Sequence, residues 1–187
     1  MSLRAEKSAL RARMRELRDA IPGGERSEMG LKVTERVLRA VEDRRLVFIF
    51  LSFGSEVPTD PICDRLEAAG HILAVPHIDQ GELIPVEYEP GEATNPAVWG
   101  IREPSVLRTI DPAAIDAVVA PGLAFDRNGF RAGYGGGFYD RLLRRCRDDA
   151  LRAGICFSQQ VVPDVPHDRN DEPLSLVLTD LETIACG

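Results

Sequence analysis

A glycine-rich stretch constrains the fold of this chain more than any other feature of its sequence. Five of the nine residues from Gly129 to Gly137 are glycine. The apolar run at residues 115–120 predicts a buried strand before the stretch. Three apolar residues after it recur at the spacing of one helix face: Phe138, Leu142 and Cys146. The backbone between a strand and a helix start can approach a ligand closely, and its N–H groups favour an anion, so the stretch predicts a phosphate-binding loop.

This stretch does not match the better-known phosphate-binding loops. A Walker A loop would end in Gly-Lys-Ser/Thr, but Gly137 is followed by Phe138. A dinucleotide fingerprint that used Gly133 and Gly135 would need a third glycine at Phe138. The alternative is a flexible connection that carries only a helix start. Because consecutive glycines cost conformational entropy on folding, a ligand-binding role is favoured over a mere connection.

The composition excludes several classes of protein. The chain has 187 residues, of which 44% are hydrophobic and 28% charged, and this predicts one globular domain over residues 1–187. A net charge of −7 argues against a nucleic-acid partner, since phosphate-backbone binding depends on excess lysine and arginine. No apolar run approaches the roughly 20 residues of a membrane span, so no membrane partner is expected. The four scattered cysteines favour a reducing, cytoplasmic location, and nothing demands more than a monomer.

Hydrophobic patterns predict alternating strands and helices along the chain. Helices are expected over residues 3–20, 25–41, 60–69 and 137–150. Strands are expected over residues 46–51, 71–76, 115–120, 151–157 and 174–178, with a short edge strand within 81–89. The strand–helix–strand order indicates a parallel sheet of the α/β class. Residues 90–114 are expected to form an ordered excursion, because Trp99, Ile101 and Val106 need burial.

A basic stripe on the first predicted helix allows two interpretations. It consists of Arg4, Lys7, Arg11, Arg15 and Arg18. The stripe is either a solvated face with partners such as Glu6 and Glu16, or a site where Lys7 and Arg11, one turn apart, meet a polyphosphate. The pattern alone favours the solvated face.

Two acidic residues are open to similar alternatives. Glu56 is the only acid in the loop at residues 52–59, and without further support it is interpreted as a surface charge. Asp140 lies in the first turn of the helix after the glycines. There a carboxylate either complements the helix dipole or helps to hold a Mg²⁺ ion that bridges to a nucleotide.

Two motifs, taken together, resemble a known enzyme family. Pro-Gly-Leu-Ala-Phe-Asp at residues 121–126 and Arg-Ala-Gly-Tyr-Gly-Gly-Gly-Phe-Tyr-Asp-Arg at residues 131–141 are similar to the signature of the 5-formyltetrahydrofolate cyclo-ligases, also called methenyltetrahydrofolate synthetases. Three weaker segments agree in order and spacing: residues 7–11, 51–59 and 100–104. The resemblance covers nearly the whole chain.

The resemblance implies a fold and a reaction. The fold is a three-layer α/β/α sandwich with a mostly parallel, Rossmann-like sheet. The reaction is the ATP- and Mg²⁺-dependent cyclisation of 5-formyltetrahydrofolate to 5,10-methenyltetrahydrofolate, with release of ADP and phosphate. ATP phosphorylates the formyl oxygen, and N10 of the substrate then attacks the activated carbon. Because the nucleophile belongs to the substrate, the protein has to position groups and neutralise charge.

The resemblance also implies roles for individual residues. Those expected to contact ATP are Lys7, Ser8, Ala9, Leu10, Arg11, Arg131, Ala132, Gly133, Tyr134, Gly135, Gly136, Gly137, Phe138 and Tyr139. Those expected to contact the reduced folate are Leu51, Glu56, Tyr134, Gly135, Gly136, Gly137 and Phe138, with Glu56 bonded to the pterin ring. Arg131 and Tyr139 are expected to be catalytic, and Asp140 is expected to bind Mg²⁺.

One departure from the family pattern bears on the metal. The family usually carries a second Mg²⁺-binding aspartate in its last strand, where this sequence has Ser175. Serine brings no charge, which predicts weaker Mg²⁺ binding unless Asp171 or Glu172 takes its place. The departure motivates an alternative function, a cyclo-ligase-like paralogue that binds nucleotide but has another substrate or a regulatory role without catalysis.

Overall fold

The computed structural model describes residues 2–96 and 102–187. The strands, in chain order, are β1 (Leu46–Ile49), β2 (Ile72–Asp79), β3 (Glu82–Tyr88), β4 (Thr94–Pro96), β5 (Arg102–Pro104), β6 (Ala117–Ala120), β7 (Ala124–Phe125), β8 (Arg131–Ala132), β9 (Leu151–Ile155), β10 (Leu176–Leu178) and β11 (Thr183–Ala185). The α-helices are α1 (Leu3–Asp19), α2 (Gly23–Ala40), α3 (Asp60–Ala68) and α4 (Phe138–Leu143). Trp99 and Ile101, which were expected to be buried, lie outside the described residues.

Seven strands form the central sheet in the order β11-β10-β9-β6-β1-β2-β3. The five inner strands pair in parallel, and β3 and β11 pair antiparallel at the two edges. This confirms the predicted α/β fold with a mostly parallel sheet. From β1 the chain continues to β2 on one side, while β6 lies on the other side. Such a switch point leaves a crevice at the carboxyl ends of the two strands.

Helices cover both faces of this sheet, which gives the three layers that were expected. On one face the apolar sides of α2 and α3 meet alternate residues of the strands: Val33, Val37, Ile62 and Leu66 with Val47, Ile49 and Val119. On the other face α4 covers Phe48 and Val118 with Leu142 and Leu143. Because β1 is buried on both faces, its sequence is a continuous apolar run rather than an alternating one. Among the described residues, no helix combines the length and apolar character that a membrane crossing requires.

Several predicted elements differ from the structure at their ends, and two of them are examples. The helix expected over residues 137–150 ends at Leu143. Its apolar spacing continues further because the Cys146 N–H still donates to the Leu142 carbonyl, at 3.1 Å, and keeps the Cys146 side chain buried. The strand expected over residues 174–178 begins at Leu176, and it is followed by β11, which was not predicted. With three residues, β11 is too short for a periodic signal.

Two further differences concern exposure and local pairing. Val106, expected to be buried, is 57% exposed because it lies in a bend after β5. The two-residue strands β7 and β8 pair antiparallel and form a small ribbon outside the main sheet. This ribbon carries the glycine stretch towards the carboxyl ends of β1 and β6.

Tight packing of β9 generates a prediction for Gly154. A Cβ atom added to Gly154 would lie 2.5 Å from Cε1 of Phe125 and 2.7 Å from Cδ1 of Leu174. We expect Gly154→Ala to lower the free energy of unfolding by about 1–3 kcal/mol, the usual cost of overpacking a core, as measured by urea denaturation.

Gly24 supplies the matched control. It lies in the first turn of α2, where an added Cβ would meet no atom within 4 Å. We expect Gly24→Ala to leave stability unchanged or to raise it by up to about 1 kcal/mol. Equal stabilities of the two variants would contradict the packing described for β9.

Candidate active site

A cleft of about 990 Å³ opens at the carboxyl ends of β1 and β6. Phe50 and Leu51, which follow β1, and Pro121, which follows β6, line it. The helix α1 runs along one side. The cleft therefore occupies the switch point of the sheet, where α/β folds bind their ligands.

Most residues expected to contact a ligand line this cleft. They are Lys7, Arg11, Leu51, Glu56, Arg131, Gly133, Tyr134, Gly135, Gly136, Gly137, Phe138, Tyr139 and Asp140. Four others lie elsewhere: Ser8 and Ala9 are exposed on α1, and Leu10 and Ala132 belong to an apolar cluster around Met14. The fold thus brings distant segments together, while a contact with ATP or folate stays a prediction for each residue.

The glycine stretch begins as a strand and ends as a helix cap. After β8, the loop at residues 133–137 leads into α4. Gly135 has φ +104°, and Gly137, the N-cap of α4, has φ +64°, a region that residues with a Cβ rarely adopt. The Gly136 carbonyl accepts a hydrogen bond of 3.0 Å from Nη1 of Arg141. These backbone conformations explain Gly135 and Gly137, and both residues line the cleft.

The basic stripe of α1 lines the cleft along its whole length. All five members take part: Arg4, Lys7, Arg11, Arg15 and Arg18. Nζ of Lys7 lies 2.5 Å from Oδ2 of Asp171, and Nε of Arg11 donates to the Gly133 carbonyl at 2.7 Å. The solvated-face interpretation is therefore wrong for Lys7, Arg11 and Arg18, because their partners come from other segments of the chain rather than from acids of α1 itself. Arg4 and Arg15 are exposed.

Glu56 is buried at the cleft, and its interpretation as a surface charge is wrong. Its side chain is held by two hydrogen bonds: Oε1 accepts from the Tyr134 hydroxyl at 2.5 Å, and Oε2 accepts from the Phe53 N–H at 3.0 Å. Nη1 of Arg18 lies 3.9 Å from Oε1. Burial raises the pKa of Glu56 above its ordinary value, and the two hydrogen bonds and the charge of Arg18 oppose this rise.

Arg131 and Asp140 form an ion pair in the cleft. Nη2 of Arg131 lies 2.9 Å from Oδ1 of Asp140, and the side chains are 4% and 20% exposed. The backbone of Glu172 joins the pair, since its N–H donates to Oδ1 of Asp140 and its carbonyl accepts from Nη1 of Arg131. Within the described part of the chain, Oδ2 of Asp140 accepts no hydrogen bond. Asp140 is therefore fixed in place with one oxygen left for a ligand.

The hydroxyl of Tyr139 is buried and has no hydrogen-bond partner among the described residues. Its ring packs edge-on against Phe48, with centroids 6.0 Å apart, and the guanidinium of Arg131 lies 6.0 Å from its ring centroid. Burial raises the pKa of Tyr139 well above its ordinary value, so the phenol stays protonated. A buried hydroxyl without a partner costs about 1–3 kcal/mol, and beside a cleft it is a candidate contact for a bound ligand.

Residues 168–171 bring two further acids to the cleft. Asp168, which the sequence analysis did not single out, lines it together with Asp171. The Asp168 N–H donates to Oδ2 of Asp171 at 2.7 Å, beside Nζ of Lys7. Ser175 does not line the cleft: it precedes β10, at the amino end of the sheet, where its hydroxyl donates to the Arg152 carbonyl at 3.0 Å. Ser175 is therefore not placed to replace a metal ligand at the carboxyl ends.

One group of possible metal ligands lies outside the cleft. In the described ranges, the only such group with its atoms within 4.8 Å of one another consists of Asp126, Asp164 and His167. The buried carboxylate of Asp126 already accepts from three backbone N–H groups, those of Asn128, Phe130 and Val165. Its hydrogen bonds give it a structural role in the turn after β7.

Sequence reasoning missed the apolar wall of the cleft and the buried arginine of α1. The wall includes Phe53, Pro76, Ile78 and Leu83. Its signal was present in part, because Pro76 ends a predicted strand and Phe53 follows another, at the edge where ligands bind. Arg18 carried no signal, because its place in the basic stripe resembled that of its neighbours.

The two tyrosines of the cleft generate a paired prediction. We expect Tyr139→Phe to leave the free energy of unfolding unchanged or to raise it by about 1 kcal/mol, because it removes a buried hydroxyl without a partner. We expect Tyr134→Phe to lower it by about 1.5–3 kcal/mol, because it removes hydrogen bonds to Glu56 and Arg18. Urea denaturation measures both, and a larger loss in Tyr139→Phe would contradict the bonding described.

Comparisons with known proteins agree with this geometry. The 5-formyltetrahydrofolate cyclo-ligase family matches residues 3–180. The 5-formyltetrahydrofolate cyclo-ligase of Escherichia coli K12 is 31% identical over 174 residues, 89% of this chain and 96% of that protein. The mouse (Mus musculus) 5-formyltetrahydrofolate cyclo-ligase is 27% identical over 195 residues, 95% of both chains. The solved structure of Aquifex aeolicus 5,10-methenyltetrahydrofolate synthetase is 27% identical, has a TM-score of 0.84, and covers 96% of this chain and 92% of its own. The chain therefore belongs to the 5-formyltetrahydrofolate cyclo-ligase family of ligases.

Proposed function

We propose that this protein catalyses the ATP- and Mg²⁺-dependent cyclisation of 5-formyltetrahydrofolate to 5,10-methenyltetrahydrofolate. The observation that carries the proposal is the composition of the cleft. One cavity holds the cationic face of α1, the glycine loop and a buried carboxylate beside apolar side chains. The cationic face and the glycine loop suit a polyphosphate, because they offer positive charge and backbone N–H donors. The buried carboxylate beside apolar side chains suits a flat ring that carries N–H groups.

The proposed reaction has two bond-forming steps. The formyl oxygen of the folate attacks the γ-phosphate of ATP, and ADP leaves. N10 of the folate then attacks the activated carbon and loses its proton, and the C–O bond to phosphate breaks as the methenyl bridge forms. Both nucleophiles belong to the substrate, so the protein contributes orientation and electrostatic stabilisation. This assignment fits the cleft, whose charged side chains are held by neighbours at fixed distances.

The ATP end of the cleft is assigned to α1 and the glycine loop. Lys7 and Arg11 are one helical turn apart, about 6 Å along the axis, a separation that suits adjacent phosphates. Arg131 is buried against Asp140, where its charge can act on the transferred phosphoryl group without reorganisation. Tyr139, whose protonated hydroxyl has no hydrogen-bond partner among the described residues, is assigned as a donor to the reacting oxygen.

The folate end is assigned to the pocket around Glu56. We assign its carboxylate to accept hydrogen bonds from the pterin ring, and we assign Leu51, which lines the same cleft, to an apolar wall beside the ring. Tyr134 lies between the two ends, because its hydroxyl contacts Glu56 while its backbone belongs to the glycine loop. This position supports its assignment to both ligands.

The residues present fit a Mg²⁺ ion. Asp140 and Asp171 both line the cleft, and within the described ranges each has one carboxylate oxygen that accepts no hydrogen bond. Mg²⁺ in nucleotide sites is usually held by one or two carboxylates together with the phosphates and water. We therefore assign Asp140 and Asp171 to the ion, which would neutralise charge on the phosphates, and we no longer expect Ser175 to weaken its binding.

An assay with ATP, Mg²⁺ and 5-formyltetrahydrofolate tests the proposal through the near-ultraviolet absorbance of the methenyl product. We expect Lys7→Ala to raise the KM for ATP about ten- to a hundredfold, the effect of losing a hydrogen bond to a charged group. Lys32→Ala is the matched control, because Lys32 is the other lysine of the chain and is exposed on α2. If the wild-type protein forms no product at any Mg²⁺ concentration, the proposal is wrong. That result would favour the alternative function, a cyclo-ligase-like paralogue that binds nucleotide but has another substrate or a regulatory role.

A second pair of variants tests the metal assignment. We expect Asp171→Asn to shift the Mg²⁺ activation curve to concentrations roughly tenfold higher or more, because removal of a metal-site partner typically costs 10–100-fold in affinity or activity. We expect Ser175→Asp to leave the curve in place, because Ser175 lies at the other end of the sheet. A curve that moves with Ser175→Asp and not with Asp171→Asn would reverse the assignment.

Three broader expectations stay predictions. A cytoplasmic location is supported by the four cysteines, all of them free thiols. The monomeric state and the organisation of residues 1–187 as one domain are consistent with a sheet that draws strands from residue 46 to residue 185. Light scattering and limited proteolysis measure the two directly.

A further inference from the structure

Arg18 is a buried arginine at the cleft that the proposed roles leave unused. It is 4% exposed, although the other members of the basic stripe, Arg4, Lys7, Arg11 and Arg15, reach the cleft surface. Its Nε donates to Oγ of Ser55 at 2.9 Å, and its Nη1 donates to the Tyr134 hydroxyl at 3.1 Å. A buried charge is costly unless it is paired and bonded, and the only carboxylate paired with Arg18 in the described part of the chain is Glu56.

The contacts of Arg18 determine where two hydroxyl protons point. A guanidinium donates hydrogen bonds and cannot accept them. The oxygens of Ser55 and Tyr134 must therefore accept from Arg18, and their single protons are directed elsewhere. The Ser55 proton is donated to Oδ1 of Asp19, and the Tyr134 proton is donated to Oε1 of Glu56.

This arrangement favours the ionised form of Glu56. Oε1 accepts from Tyr134, and Oε2 accepts from the Phe53 N–H at 3.0 Å. In both contacts Glu56 accepts, so the network favours the ionised form, which offers acceptors only. Burial acts in the other direction by raising the pKa of Glu56, and Arg18 supplies the positive charge that opposes it.

We infer that Arg18 is a positioning residue for folate recognition, which holds Glu56 as an ionised acceptor facing the cleft. The inference rests on the proposed function in one respect, the assignment of Glu56 to the pterin ring. Each carboxylate oxygen can accept more than one hydrogen bond, so both remain able to bind N–H donors of a ligand. A neutral glutamic acid would turn an O–H donor towards those N–H groups. Two donors cannot form a hydrogen bond, so binding of the ligand would weaken.

The groups around Glu56 define what a pH experiment must separate. Arg18 and Asp19 face its loop from α1, Tyr134 faces it from the glycine loop, and Tyr139 is close enough for its own pKa to be raised by the Glu56 charge. Both tyrosines have pKa values raised above the ordinary range. A titration of the site between pH 4 and pH 8 is therefore assigned to a carboxyl group, and observation of the Glu56 carboxyl carbon separates it from Asp19.

The first experiment measures the ionisation of Glu56 by carbon-detected NMR titration of the protein without ligands. We expect Arg18→Met to increase the proton affinity of Glu56 about tenfold or more, since an opposite charge at this distance lowers a carboxyl pKa by one to three units. Arg18→Lys keeps the charge but loses the fork that reaches both hydroxyls, and a smaller increase is expected. Arg13→Met is the control, because Arg13 is exposed on the same helix and does not line the cleft. An unchanged Glu56 titration in both Arg18 variants would overturn the inference.

The second experiment separates positioning from a merely structural role. We expect Arg18→Met to raise the KM for 5-formyltetrahydrofolate about ten- to a hundredfold, with the KM for ATP unchanged. The acid limb of kcat/KM for the folate should move to higher pH, because Glu56 then loses its proton only at higher pH. A variant that was only less stable would lower the amount of active enzyme without moving that limb, and this result would also overturn the inference. If the wild-type protein forms no methenyl product, the proposed function fails, and the NMR comparison still decides the role of Arg18.

Discussion

The site depends on how α1 packs across the carboxyl edge of the sheet. Met14 is fully buried in a cluster with Ala124 and Ala132 of the β7–β8 ribbon and with Leu123, which precedes β7. Burying such a side chain contributes roughly 1.5–3 kcal/mol, and it also determines the rotation of the helix about its axis. With Met14 facing the ribbon, the basic stripe faces the cleft. The hydrophobic contact of Met14 therefore directs the basic side chains of α1 into the cleft. Without it, these side chains would be more favourably solvated by water.

The charged side chains of the cleft form ion pairs with one another. Lys7 pairs with Asp171, Arg131 with Asp140, and Arg18 with Glu56. In the first two pairs, a cation assigned to ATP contacts an acid assigned to Mg²⁺. In the third pair, the positioning residue Arg18 contacts Glu56, which is assigned to the pterin ring. In the proposed reaction, a nucleotide and its metal would enter between such partners and replace one set of charge contacts by another. An arrangement of this kind keeps the side chains oriented before the ligands bind, which is the main contribution that a phosphoryl-transfer site can make.

The elements that could be predicted from the sequence are those determined by local patterns. The run at residues 46–51 predicts a strand buried on both faces, and the glycines after residue 128 predict a loop that reaches a ligand. Prediction failed where a local pattern continued past its element. Cys146 keeps the helical spacing after α4 has ended, because a single hydrogen bond carries it through the following turn. The family pattern predicts that the position of Ser175 lies at the metal, but the direction of β10 puts Ser175 at the opposite end of the sheet.

The sequence by itself determined the class of fold, the family and most of the residues around the cleft, because apolar periodicity and the glycine motif act over a few neighbouring positions. Only the tertiary structure decided the state of the charged groups. Glu56 and Arg18 resemble ordinary surface charges in the sequence, and their burial depends on residues 37 to 116 positions away along the chain. Asp171 likewise acquires its place from Lys7, 164 positions earlier. The physical reason is that the solvation and ion pairing of a side chain depend on its neighbours in the fold. These neighbours come from distant parts of the chain, so a local sequence pattern does not indicate them.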